Sequence, residues 1–169
     1  MVVFERHLGT QYNIEGFLIG WSKNYFLIQR LEEFHIDGFI LLRRSDVDRL
    51  RPIATVHMWN KILREEGVTA TVSNPCFKLK LAGLPTILRD IRASKQIIIV
   101  DCDYSEKSYL YIGKPDKIGT SSVSFRWFGV DGIWQSKCVS IPYVDISSIR
   151  FESEYISVYE KYVRGRDKF

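Results

Sequence analysis

Residues 19–51, IGWSKNYFLIQRLEEFHIDGFILLRRSDVDRLR, and residues 112–150, IGKPDKIGTSSVSFRWFGVDGIWQSKCVSIPYVDISSIR, follow one plan. Both open on Ile-Gly, at Ile19-Gly20 and Ile112-Gly113. Thirteen residues intervene in the first stretch and fourteen in the second before FHIDGF and FGVDGI. Both close on an aspartate, a β-branched residue, two variable positions, an apolar residue and an arginine. These endings are Asp46-Val47 with Leu50-Arg51 and Asp145-Ile146 with Ile149-Arg150. The second stretch is five residues longer between its Asp-Gly and its ending. Three matches in one order at nearly one spacing point to an internal duplication, a signal to be sought before any motif.

Each copy reads as strand, strand, hairpin, strand, then a short turn into a last strand. Val123, Phe125 and Trp127 alternate with Ser122, Ser124 and Arg126, the period of a half-buried strand. Tyr25 to Ile28 is apolar throughout, as in a strand covered on both faces. Asp37-Gly38 and Asp131-Gly132 are expected to turn the chain, because glycine accepts positive φ at little cost. FILLRR and CVSIPY are the return strands. Pro142 cannot donate to a ladder and marks an edge.

Between the copies the period changes. Pro52 suits a first helical turn. Ile53, Val56, Trp59 and Leu63 follow at helical spacing, with Gly67 as the C-cap. A second helix is expected from Pro85 to about Ser94, with Ile87, Leu88 and Ile91 on one face. Residues 96–100, QIIIV, read as a buried strand. Tyr155, Tyr159 and Tyr162 in the tail fit a helical stripe. No low-complexity linker divides the chain, so residues 1–94 and 95–169 are expected to be two units packed together. An edge strand of one is expected to meet the other, which hides edges that invite aggregation.

The unit resembles the small bent barrel of Sm-like proteins. In that family the second motif reads apolar, arginine, glycine, two variable residues, then apolar. Leu42-Arg43-Arg44-Ser45-Asp46-Val47 has that order, with Arg44 in the glycine's place. Ile141-Pro142-Tyr143-Val144-Asp145-Ile146 lacks both the arginine and the glycine, and neither copy carries the family's uridine-holding Asn before its Asp-Gly. The resemblance implies a mainly β, α+β fold: two tandem Sm-like small β-barrels with intervening and C-terminal helices. The residues that bind RNA in that family are largely absent.

Composition narrows the function classes. The chain has 169 residues, 46% of them hydrophobic and 26% charged, enough to bury a core. Its net charge of +4 is spread along the chain, without the dense stripe of a dedicated nucleic-acid binder. Three cysteines, none in a C-x-x-C pair, form no disulfide framework and fit a reducing compartment, so the cytoplasm is expected. No apolar run approaches a membrane span. His7, His35 and His57 have no metal-ligand spacing, and no nucleophile elbow or phosphate loop appears.

Arg43 and Arg44, with Arg49 and Arg51, form the densest basic cluster. Arg126 and Trp134 mix a cation with an aromatic that can stack a base. Asp101 and Asp103 share one strand face and are candidates for a hard cation. Asp46 and Asp145 are expected as turn or cap aspartates with an arginine pairing nearby. The expected function is a non-enzymatic interaction protein without a cofactor, taking a protein partner through edge strands or an aromatic patch. The alternative is an RNA-binding Sm-like protein using Arg43, Arg44, Arg126 and Trp134. A homo-oligomer is open to either.

Overall fold

The computed structural model describes residues 1–7, 13–52, 56–104 and 108–163. The fold is mainly β. Ten strands form one antiparallel sheet: β1 (Val2–Arg6), β2 (Asn13–Trp21), β3 (Tyr25–Glu32), β4 (His35–Arg43), β5 (Val47–Pro52), β6 (Ile98–Cys102), β7 (Tyr109–Ile118), β8 (Ser122–Phe128), β9 (Val139–Pro142) and β10 (Ser148–Phe151). The helices are α1 (Val56–Glu65), α2 (Leu84–Ser94) and α3 (Glu154–Tyr162). The order across the sheet is β5-β1-β2-β3-β4-β10-β6-β7-β8-β9.

The sheet is not closed into a barrel, which corrects the expectation of two Sm-like barrels. The pairing that could close the first five strands on themselves goes to the other half. β4 pairs with β10, with Leu42 opposite Ser148, Leu41 opposite Ile149, Ile40 opposite Arg150 and Phe39 opposite Phe151. The two halves therefore meet strand to strand.

The second five strands take the order of the first five. A 3-10 turn precedes the last strand of each set, at Arg44–Asp46 and Tyr143–Asp145. The register breaks in β2 between Leu18 and Gly20, and in β7 between Pro115 and Lys117. Pro115 lies beyond the residues of β7 that pair with β6, so its missing N–H leaves no gap in that ladder.

Glycine positions also recur, though not where the sequence match put them. Gly16 lies opposite Arg30, and a Cβ there would fall 2.3 Å from Gln29 O. Gly113 lies opposite Trp127, with the same Cβ 1.9 Å from Arg126 O. The spatial counterpart of Gly113 is therefore Gly16, not Gly20.

The turns differ from expectation in one hairpin. Glu33 and Phe34 turn β3 into β4. Asp37 and Gly38 lie inside β4, where the register shifts and Gly38 takes φ +64°. A side chain at Gly38 would strike the Glu152 carbonyl at 2.5 Å. Asp131-Gly132 does turn the chain, with Gly132 N–H donating to Gly129 O at 2.9 Å. Pro52 closes β5 rather than opening a helix, and Ile53 lies outside the described residues. Gly67 follows α1 in the left-handed region at φ +74°.

Alternating side chains sort into opposite faces of the sheet. Leu27, Phe39, Leu41, Ile98, Val100, Phe125, Ile149 and Phe151 pack with Leu84, Ile87, Leu88 and Ile91 of α2 into the central core. On the first half's other face, Phe4, Ile14, Phe26, Ile28, Ile40 and Leu42 form a second core. Ile97, Ile99, Ile112 and Phe128 form a third with Ile156 of α3. α3 buries Ile156 and packs Tyr159 against the third core, while Tyr155 and Tyr162 are exposed, so only the middle of the tyrosine stripe lies on its packed face. Trp127 packs against the central core beside Tyr111.

Candidate interaction site

Two loops of the first half come together beside the seam. Ser22 closes the β2–β3 turn, its hydroxyl accepting from Asn24 N at 3.3 Å and Tyr25 N at 3.2 Å. Arg44 N–H donates to Asn24 O at 2.9 Å, tying this turn to the one before β5. Lys23, Asn24, Tyr25, Arg43, Arg44 and Ser45 line the resulting open cleft of about 450 Å³. Three cations, Lys23, Arg43 and Arg44, and the neutral side chains of Asn24, Tyr25 and Ser45 suit a phosphate or another anion. Lys23 and Asn24 escaped the sequence reading. The signal was there as a short polar turn, Ser22-Lys23-Asn24, between two apolar strands.

The two arginines are held differently. The Arg43 guanidinium donates through Nη2 to Tyr143 O of the second half and stands 5.3 Å from the Tyr104 ring centre. It acts first as a strap across the seam. Arg44 is exposed and stands 5.3 Å over the Phe26 ring.

Arg126 and Trp134 lie in the other half and do not line this cleft. They contact each other, with the guanidinium 5.2 Å from the indole centre. Lys114 approaches the same ring at 6.0 Å. Trp134 also meets Phe128 edge to face at 5.0 Å, so much of its surface is already used in packing. The four residues therefore form two separate pairs.

The acidic candidates are engaged with the protein itself. Asp101 accepts from Arg150 Nε at 3.0 Å and Nη2 at 2.8 Å, and from Ser148 Oγ at 2.5 Å. Asp103 accepts from Ser147 Oγ at 2.6 Å, with the buried Arg6 Nη2 4.0 Å away. A cation there would compete with two arginines. Among the described residues no group of three or more His, Cys, Asp or Glu is placed to hold a metal ion.

The recurring Asp and Arg have other partners than expected. Asp46 is buried and accepts from Ser45 Oγ at 3.0 Å and from the Tyr104 hydroxyl. Arg51 pairs with Glu5, as Arg150 pairs with Asp101. In each half, the closing arginine reaches back to an acid on that half's first strand. Burial, and then the bond to Asp46, raise the Tyr104 hydroxyl above its ordinary range. Burial pushes the Cys102 thiol up to about 12, helped by the carboxylates of Asp145, Asp101 and Asp103.

The remaining interaction surfaces are the sheet's ends, β5 and β9 among the described strands. Each pairs on one side only. No helix of the described residues is long and apolar enough to cross a membrane. Comparison with family models, curated proteins and solved structures found no match, so the Sm-like resemblance has no support beyond the residues that suggested it.

Proposed function

We propose that this chain is a non-enzymatic interaction protein that takes a protein partner along the open edges of its sheet. One observation carries the reading. The chain already pairs strand to strand in the β4–β10 seam, and among the described residues β5 and β9 each have one side unpaired. An unpaired edge offers a row of backbone donors and acceptors to another strand, and alternate side chains supply selectivity. We further propose that the two halves descend from one duplicated five-strand unit. The recurring strand order, register breaks, close-approach glycines and arginine–acid pairs support this. The three free thiols suit a reducing cytoplasm.

The test is affinity capture from the native cytoplasm with the wild-type chain and Ser140→Pro as baits. Tyr143 N–H turns inward to Ser121 O at 2.8 Å. By alternation the Ser140 N–H points outward, where proline is tolerated in an edge strand. A partner retained by wild type and lost with Ser140→Pro is the expected result. Equal capture by both baits would remove the β9 edge as a docking strand.

The cleft at Lys23, Asn24, Arg43, Arg44 and Ser45 supports a second reading, single-stranded RNA held through its phosphates. Three phosphates neutralised on a single strand give a log–log salt slope near −2, hence roughly a 20-fold loss of affinity between about 50 and 200 mM salt. Anisotropy of a labelled oligonucleotide measures this. A Lys23→Ala/Arg44→Ala double variant is expected to flatten the slope, and binding indifferent to it would exclude the cleft.

A further inference from the structure

Resting on the edge-pairing reading, we infer that the partner at both edges is a second copy of this chain, with β9 of one copy pairing antiparallel to β5 of the next. Counterpart positions in the two sets of strands support it. Asp46 and Asp145 are 99 positions apart, and so are Arg51 and Arg150. The same offset carries the turn at Arg44–Asp46 onto Tyr143–Asp145. It therefore carries β10 onto β5 and β4 onto β9. Inside the chain, the last strand of the second half pairs with the fourth strand of the first. The equivalent strands at the two ends of the sheet, β5 and β9, each lack that partner.

The offset also fixes the register. Ser148–Leu42 becomes Arg49–Ile141, Ile149–Leu41 becomes Leu50–Ser140, Arg150–Ile40 becomes Arg51–Val139, and Phe151–Phe39 becomes Pro52–Cys138. Pro142, whose N would point outward, lies one position beyond these four pairs, while Pro52 has no N–H to donate to Cys138, so the last pair keeps one bond of two. A second observation agrees. Ile149 is wholly buried in the central core beneath α2, whereas its counterpart Leu50 on β5 is 44% exposed. An apolar residue is thus left exposed on an end strand, where the side chains of a pairing copy can cover it.

Such a contact is heterologous. Repeated, it closes into a ring or continues as a filament, according to the rotation between successive units. The side chains are more polar than those of the internal seam, with Arg49 and Ser140 in place of Ser148 and Leu41. Association is therefore expected to grow with concentration.

The test is the mass of the full chain against concentration by sedimentation, for wild type, Ser140→Pro and Leu50→Glu. Multiples of 19.8 kDa that increase with concentration, with both variants returned to a single chain, are expected. Pro52→Cys adds a readout of register, because it faces the exposed native Cys138 of the next copy. Oxidation should then link chains in a ladder that Cys138→Ser abolishes. A wild-type chain that stays at 19.8 kDa at every soluble concentration overturns the inference, as does an assembly that both variants leave intact. If the wild type is monomeric yet Ser140→Pro loses a captured cytoplasmic protein, edge pairing stands and self-pairing falls. If capture is unaffected as well, both fall.

Discussion

Arg51 and Arg150 hold equivalent positions and make equivalent ion pairs, but their surroundings differ. The Arg150 and Asp101 side chains are 20% and 16% exposed, those of Arg51 and Glu5 40% and 31%. A pair open to water is screened and contributes little, while a two-pronged bond sheltered from water contributes more. Arg150→Ala is expected to cost about 2 kcal/mol in urea unfolding. Arg51→Ala is expected to cost under about 1 kcal/mol. Equal losses would show that burial does not grade the two pairs. Cys102 gives a pH prediction. Its thiol is favoured as the neutral form in the folded chain and pushed up to about 12. That contribution is complete below the ordinary thiol range and is lost as pH rises through the folded value. Tyr104, raised by burial and by its bond to Asp46, acts in the same direction. Stability is therefore expected to fall from about pH 9 upward, with Cys102→Ala removing the part of the slope that begins at the ordinary thiol range and Tyr104→Phe the part that begins at the ordinary phenol range. A flat profile in the wild type would contradict both. The sequence displayed the recurring aspartate and arginine as letters. It did not show that Arg51 reaches Glu5, or that Asp46 reaches Tyr104, because those partners are far away along the chain and adjacent only through the sheet.

Gly16 and Gly113 control how closely β2 and β7 approach their neighbours β3 and β8. A methyl group at either would press on a backbone carbonyl, so Gly16→Ala and Gly113→Ala are each expected to cost about 3 kcal/mol. Gly67→Ala has open space around it and only the left-handed backbone to bear, so about 1 kcal/mol is expected. Thermal unfolding of the three variants separates crowding from backbone strain. Another link joins α3 to the first half. Asp37 Oδ1 accepts from Glu154 N–H at 2.9 Å, and Oδ2 accepts from Arg30 at 3.1 Å. Asp37→Ala is expected to loosen α3, seen as faster amide exchange over residues 154–162, at about 1 kcal/mol. Strands β3, β8 and β9 and helices α2 and α3 were legible because a local period or a proline marks them. The Asp37-Gly38 pair was misread as a hairpin turn because positive φ serves a bulge as well as a turn. What selects the bulge is the Glu152 carbonyl, which the local sequence does not contain.

At the level of the whole molecule, the repeated letters in residues 19–51 and 112–150 gave the expectation of two barrel units, and the structure has one ten-stranded antiparallel sheet among the described residues instead. They did not foretell that β4 and β10 would join in one open sheet, since that pairing is between residues about a hundred positions apart and no local pattern marks it. That pairing sets a problem of timing during synthesis. Leu42 is made 106 residues before Ser148, the residue it lies against. At about 5–20 residues per second, an apolar strand, Phe39 to Leu42, waits roughly 5 to 20 seconds for its partner. Throughout that interval the nascent chain carries an open, sticky edge at what becomes the middle of the finished sheet. A ribosome stall between β4 and β10 would prolong the exposure, and truncated chains ending before β10 should be the ones that chaperones retain.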